Sequence, residues 1–288
     1  MKRKTNALET GFHLLFLGCG VLSVALVLLI SVYLLLSGVP AMAKLGVGRF
    51  LFGESWSAGT GEFGIWPFIL TSVYGTAGAV ALGVPLGLLT AVYLAKDAPG
   101  WLAGAIHTAV ELLSGIPSVV YGLVGMMVLV PLIQRVFALS SGACLLTAVL
   151  VLTIMILPYI ISVSEAALRA VPREYEEGSL ALGATEVETW FRVSLRAARS
   201  GVATAIAQGV GRAIGEAMAI IMVSGNVARM PGLFAPVRFL TTAIASEMSY
   251  AVAGSLHQQA LFSIGLVLFL FIMLINAFLQ LISRKGEK

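Results

Sequence analysis

Six stretches of this 288-residue chain are apolar over lengths that can cross a bilayer, and that series decides most of what the chain can become. They run near 12–37, 67–95, 108–134, 142–166, 199–226 and 259–282. A helix needs roughly 20 apolar residues to traverse about 30 Å of hydrocarbon, where no water satisfies the backbone N–H and C=O groups. A helix meets that demand within a single segment. The expected fold is therefore an all-α polytopic membrane protein with six transmembrane helices. Composition agrees, because only 11% of the residues are charged where a soluble domain has roughly 25%.

The basic residues set the expected orientation. Lys44, Arg49, Arg135, Arg229 and Arg238 fall in loops on one side. The other basic residues fall on the opposite side, apart from Arg212, which lies within a span. An excess of Lys and Arg marks the cytoplasmic side, so both termini are expected in the cytoplasm. The same placement, in short loops and at the ends, favours membrane orientation over nucleic-acid binding despite a net charge of +4. The basic start "MKRK" precedes an apolar run longer than the roughly 7–15 residues of a signal-peptide core, so an uncleaved first helix is expected. The chain then divides into an N-terminal helix with its outer loop, 1–66, and a transmembrane domain, 67–285. In the outer loop, Trp56, Phe63 and Trp66 suit interfacial anchors or a docking surface.

The longest inner connection, about 169–198, carries local folding instructions. Pro172 can open a helix, and Glu174, Glu176 and Glu177 suit its positive N-terminal end. Gly183 can take the left-handed conformation that closes it. Thr185 can cap a second helix, with Glu188 completing a capping box three residues on. The expectation is helix, turn, helix.

The fifth stretch, "GVGRAIGEAMAIIMVSGN", poses a problem, because Arg212 and Glu216 lie in an otherwise apolar run. An ionisable side chain inside a membrane costs roughly 2.5–3.5 kcal/mol on insertion scales. On a continuous helix the two residues share one face at i, i+4 and could neutralise each other as a packing device. The functional reading is a polar site on a transport pathway, since a guanidinium offers a planar fork of donors suited to an oxyanion such as phosphate. The carboxylate could hold the arginine between transport events, or accept the proton of hydrogen phosphate. Catalytic motifs are missing from the sequence: there is no Gly-x-x-x-x-Gly-Lys loop, no His-Glu-x-x-His and no Gly-x-Ser-x-Gly. His13, His107 and His257 lie in separate segments, and Cys19 and Cys144 sit in apolar runs without metal-ligand spacing. No bound metal and no catalytic role are expected of this chain.

The inner connection "EEGSLALGATEVETWFRVSLRAARSG" resembles the conserved loop of permeases in binding-protein-dependent ABC importers. Glu177, Gly178 and Ser179 stand where that family has Glu-Ala-Ala, Gly183 fits its glycine, and Leu195-Arg196 replaces its Leu-Pro. The stretches "FGIWPFILTSVYGT", "GIPSVVYGLVG" and "GRAIGEAMAIIMVSGN" are similar to phosphate permeases of the PstC type. The resemblance implies a type I importer permease fold and a subunit that moves inorganic phosphate inward by alternating access. It implies a second permease like PstA, two ATPase subunits holding ATP and magnesium, and a periplasmic or lipid-anchored phosphate-binding protein. It assigns transport to Arg212 and Glu216, and ATPase coupling to Glu174, Glu176, Glu177, Gly183, Ala184 and Thr185. Three other readings stay open: a sulfate, molybdate or tungstate permease; a stand-alone transporter that uses Glu216 as a proton relay; and a membrane scaffold with the charged pair as packing.

Overall fold

The computed structural model describes residues 7–285, with side chains described at Glu9 and from 11 to 277. The basic residues Lys2, Arg3, Lys4 and Lys288 lie outside this range, as do the side chains of Arg284 and Lys285. The terminal charges behind the expected orientation therefore fall outside the described residues.

A long helix α1 (Ala7–Leu45) leads through a short α2 (Val47–Phe52) into an antiparallel hairpin, β1 (Trp56–Ser57) and β2 (Glu62–Phe63), with Trp56 opposite Phe63. Then come α3 (Trp66–Lys96), α4 (Gly100–Gly115), α5 (Ser118–Val124), a π-helical turn Gly125–Leu129 and α6 (Val130–Val136). Helix α7 (Leu145–Arg169) precedes a second hairpin built from α8 (Arg173–Ala181), α9 (Glu186–Thr189), a π turn Trp190–Ser194 and α10 (Leu195–Ala197). The chain ends with α11 (Arg199–Gly215), α12 (Met218–Val223), α13 (Leu240–Glu247) and α14 (Leu256–Lys285).

Among the described residues, five helical runs are long and apolar enough to cross a membrane: Gly11–Leu45, Trp66–Lys96, Ser118–Val136, Leu145–Arg169 and Leu256–Ala277. The expected third and fifth spans differ from the sequence reading. The third, read as 108–134, is broken. Pro117 disfavours the helical conformation for Ile116, whose backbone is extended (φ −72°, ψ 127°), and a new helix starts at Ser118. The fifth, read as one helix over 199–226, stops at Gly215. Glu216 is extended (φ −74°, ψ 126°), and α12 restarts two residues later.

Helix α7 is the hub, with 61% of its most apolar window buried, against none for α1. It packs closely on α3 because α3 turns a row of small residues toward it. A Cβ on Gly87 would come within 2.6 Å of the Ile160 side chain, closer than carbon atoms pack. The main core joins Ala79 of α3, Leu152, Ile156 and Ile160 of α7, Ala213 of α11 and Ile220 of α12. A second core lies toward the other end, where Phe50, Phe63, Ile65 and Phe68 meet Leu240 of α13 and Leu261 of α14. Trp56 packs against this second core, its ring 5.0 Å from that of Phe63. Phe63 is therefore a core residue, and Trp56 is its half-buried neighbour. Among the described residues, the second half of α1 meets α14, where Tyr33 lies edge-on to Phe262 at 5.6 Å and the Ser263 hydroxyl donates to the Gly38 carbonyl.

Candidate functional site

The break between α11 and α12 positions the two charged residues, and it corrects the idea of a shared helix face. Arg212 occupies the last turn of α11, where a cation suits the negative end of the helix. Its guanidinium carbon lies 5.3 Å from the centroid of the Tyr159 ring on α7, within cation–π range. Tyr121 of α5 packs against the core that holds Ala213, and its hydroxyl donates to the Leu113 carbonyl (2.7 Å). Its Nε is buried without a hydrogen-bond partner. Glu216 is turned elsewhere by the extended backbone. One carboxylate oxygen accepts from the Ala219 N–H (3.2 Å) in the first turn of α12, and the Thr241 hydroxyl donates to the Glu216 carbonyl (2.7 Å). No ion pair joins Arg212 and Glu216 among the described residues.

This geometry answers the packing reading. Buried charges are normally paired, because an unpaired one carries the full desolvation cost. Glu216 is only 8% exposed and has no cation, while Arg212 has only an aromatic face and an orphaned donor. The helix interruption takes backbone groups out of helical bonding inside the same apolar run, where Thr241 and the Glu216 side chain satisfy two of them, a feature tolerated where it lines a cavity or is covered by protein. Chemically, the site offers a half-buried guanidinium, its Nε shielded and unpartnered, laid on the face of Tyr159. Sequence reasoning missed Tyr159 and Tyr121. The available signal was a tyrosine inside each of two otherwise apolar spans.

The second hairpin is built as its sequence instructs. Pro172 caps α8, Gly183 turns in the left-handed region (φ 90°), and Thr185 caps α9. The Glu188 N–H donates to the Thr185 hydroxyl (3.3 Å), and the Thr185 N–H donates back to the Glu188 carboxylate (3.2 Å). Glu174, Glu177, Gly183 and Thr185 are exposed, Ala184 is half-buried, and Leu182 projects from the tip at 91% exposure. Glu176 departs from the set, because it faces inward onto Lys96 of α3 and the Ser194 hydroxyl (2.7 Å). Burial pushes its carboxyl pKa up, but the Lys96 and Ser194 hydrogen bonds and the Lys96 and Arg173 charges outweigh it. The net result lies below the usual carboxylate range.

Two other buried glutamates are fully engaged. Glu165 on α7 takes Arg169 (2.8 Å) and His107 (3.2 Å). Glu247 on α13 takes the Trp56 indole N–H (2.9 Å), His257 (2.7 Å) and Arg238. These partners belong to separate elements, so His107 and His257 each serve a carboxylate.

The model of the family described as "Binding-protein-dependent transport system inner membrane component" matches residues 83–288. The chain is 37% identical to the probable ABC transporter permease protein YqgH of Bacillus subtilis, over 93% of this chain and 90% of that one. It is 34% identical to the phosphate transport system permease proteins PstC of Mesorhizobium japonicum (92% and 87% covered) and Pasteurella multocida (90% and 89%). Among solved structures, a chain of the MetNI methionine ABC transporter in an inward facing conformation aligns with a TM-score of 0.61 at 20% identity, covering 80% of this chain and 99% of that one. A chain of a bacterial alginate ABC transporter, in complex with its alginate pentasaccharide-bound periplasmic protein, aligns at 0.64 with 15% identity, covering 98% of each. The fold is thus that of ABC importer permeases, and the family carries its ATPase activity on separate subunits. Broken fifth span, capped hairpin and matched relatives converge: the chain belongs to the inner membrane components of binding-protein-dependent transport systems and is the non-enzymatic permease of an ABC importer.

Proposed function

We propose that this permease moves inorganic phosphate into the cytoplasm by alternating access, with Arg212 as the residue that meets the anion. The observation that carries the proposal is the buried, unpartnered Nε of Arg212, held on the face of Tyr159 and away from any carboxylate. A guanidinium left free in an apolar bundle is suited to a mobile oxyanion, which supplies the acceptors that the protein withholds. Glu216 supports discrimination. A fixed carboxylate close to the path repels a fully ionised oxyanion and accepts a hydrogen bond from a protonated one, so it favours hydrogen phosphate over sulfate. The phosphate permease relatives support the same substrate.

The transmembrane domain covers 67–285, and both termini lie in the cytoplasm. Six crossings follow if the broken run α11–α12 counts as one and α5–α6 as another. The hairpin α8–α10 then seats on an ATPase subunit through Glu174, Glu177, Ala184, Thr185 and the turn at Gly183, with Leu182 as an apolar knob. The working assembly adds a PstA-like permease, two ATPases with ATP and magnesium, and a phosphate-binding protein outside.

The test is uptake by the complete complex in proteoliposomes. Arg212→Ala should assemble with its partners and lose phosphate uptake, and excess sulfate or molybdate should not compete in the wild type. Normal uptake by that variant removes Arg212 from the pathway. Effective competition by sulfate reassigns the substrate.

A further inference from the structure

Glu176 stands out within the hairpin because it is turned away from the surface that would face an ATPase. Its side chain is only 21% exposed and its carboxylate receives Lys96 of α3, whose side chain is 11% exposed. The same oxygen accepts from Ser194 in the hairpin's second arm, and Ser179 and Thr189 share a hydrogen bond (2.9 Å) between the two arms. Lys96 also reaches the Leu168 carbonyl at the end of α7 (3.5 Å). Reciprocally, Arg169 of α7 donates to the Leu94 carbonyl at the end of α3 (2.8 Å). The last turns of α3 and α7 are thereby cross-tied, and the hairpin joins the knot through one charged pair beside apolar packing of Trp190 and Leu195 in the cluster that holds Ala91, Val92 and Leu168. The chain between α7 and α8 is short, Ala170 to Pro172, and its Val171 packs against the same apolar cluster, so the Lys96–Glu176 pair is the charged link beside an apolar one.

We propose that Lys96 and Glu176 form a strut that makes the hairpin move as one body with α3 and α7, so that displacement of the hairpin tip reaches the Arg212 site. The inference rests on the reading of the hairpin as the ATPase-docking element. The route has structural continuity. Helices α3 and α7 pack along an extended contact, α7 packs against α11, and Tyr159 of α7 lies under Arg212. An ion pair is suited to such a strut, because a half-buried, hydrogen-bonded pair is directional and resists sliding, whereas apolar contact does not. Lys96 and Glu176 are positioning residues: neither touches the anion nor faces the ATPase.

The experiment compares phosphate imported per ATP hydrolysed, in proteoliposomes holding the complete complex, with co-purification of the ATPase measured in parallel. Lys96→Met and Glu176→Gln should retain the ATPase and its hydrolysis, yet lower the transport-to-hydrolysis ratio about five- to tenfold, the range open to residues along a coupling route. Lys96→Arg should keep the ratio near that of the wild type. The exchanged pair Lys96→Glu with Glu176→Lys should recover at least half of it. Wild-type ratios in both single variants overturn the strut. So does an exchanged pair that fails to assemble or does no better than the single variants. ATPase loss in Glu176→Gln also counts against it, because that result places Glu176 in the docking surface. Wild-type uptake in the same vesicles tests the importer reading independently, since the strut concerns only the ratio of variant to wild type.

Discussion

Glu247 and Glu216 are both buried glutamates in an apolar bundle, yet their surroundings are opposite. Glu247 holds Arg238, His257 and Trp56, and Arg238 is itself anchored on the Asn226 carbonyl through Nε (3.1 Å) and a terminal nitrogen (2.9 Å). Three elements, α13, β1 and α14, and the loop that carries Arg238 are joined at one carboxylate. Glu216 accepts one backbone N–H from its own chain three residues on, and forms no ion pair among the described residues. A carboxylate whose lone pairs are all used fixes a structure, because removing it strands its partners. A carboxylate left mostly unused holds little in place and stays available to a partner that arrives. Burial alone does not separate the two, since both are less than a tenth exposed.

The sharpest test is to remove each carboxylate. Glu247→Ala leaves the buried Arg238 charge unpaired and strands His257 and the Trp56 indole. Breaking such a pair costs about 3–5 kcal/mol, so the variant should unfold at markedly lower temperature in nanodiscs or fail to insert stably. Glu216→Gln keeps the shape and the acceptor for the Ala219 N–H. It should unfold within about 0.5 kcal/mol of the wild type, as substitutions outside strained or paired sites do, and yet be slow in uptake. Equal losses of stability in the two variants would erase the distinction.

Arg212 gives the next largest effect. If phosphate takes two charge-assisted hydrogen bonds from it, each worth about 1.5–3 kcal/mol, then Arg212→Ala should lower uptake roughly a hundredfold or more. Thermal stability should barely move, since no protein hydrogen bond is lost at the orphaned Nε. A large fall in stability with modest loss of transport would recast Arg212 as a packing residue.

The break that separates the two charges can be probed at Thr241, whose hydroxyl holds the Glu216 carbonyl. Thr241→Val removes one neutral hydrogen bond at a buried carbonyl, a cost of about 1–2 kcal/mol. Uptake should fall with it, because the extended turn then loses the side-chain hydrogen bond that ties it to α13. An unchanged uptake would show that α11 and α12 keep their arrangement by packing alone.

These contacts also mark what the sequence could reveal. The hairpin was legible because its signals act within a few residues: Thr185 and Glu188 are three apart, and Gly183 needs only its own φ. The interruption at Pro117 was partly legible, since proline restricts its immediate neighbour. The break at Glu216 was not. The run Ala217–Ala219–Ile220 has good helical residues, and the tether that stabilises the turn comes from position 241. The same holds for Trp56 with Glu247 and for Lys96 with Glu176, partners 191 and 80 residues apart. Charge counts placed these residues in loops or spans. Only the folded chain shows which charges meet, and the inward turn of Glu176 had no local signal at all.

A third glutamate completes the comparison and gives the smallest effect. Glu188 is satisfied, like Glu247, but stands in water at the hairpin turn. The Thr185 backbone N–H first, then its hydroxyl, then the Arg192 charge hold its carboxyl below the usual range, while slight desolvation opposes them. A carboxyl depressed in the folded state contributes fully above its ordinary pKa and loses that contribution as pH falls through the depressed value. The hairpin cap should therefore be indifferent to pH from neutrality down to the ordinary carboxylate range, and loosen only below it. Thr185→Ala removes the hydroxyl that accepts the Glu188 N–H, a loss of about 1 kcal/mol, and should move the loosening to higher pH. Amide hydrogen exchange at Glu188, followed across that range in the intact complex, reads both effects. Exchange that accelerates already near neutrality in the wild type would mean that the exposed carboxylate, like Glu216, is less engaged than its geometry indicates.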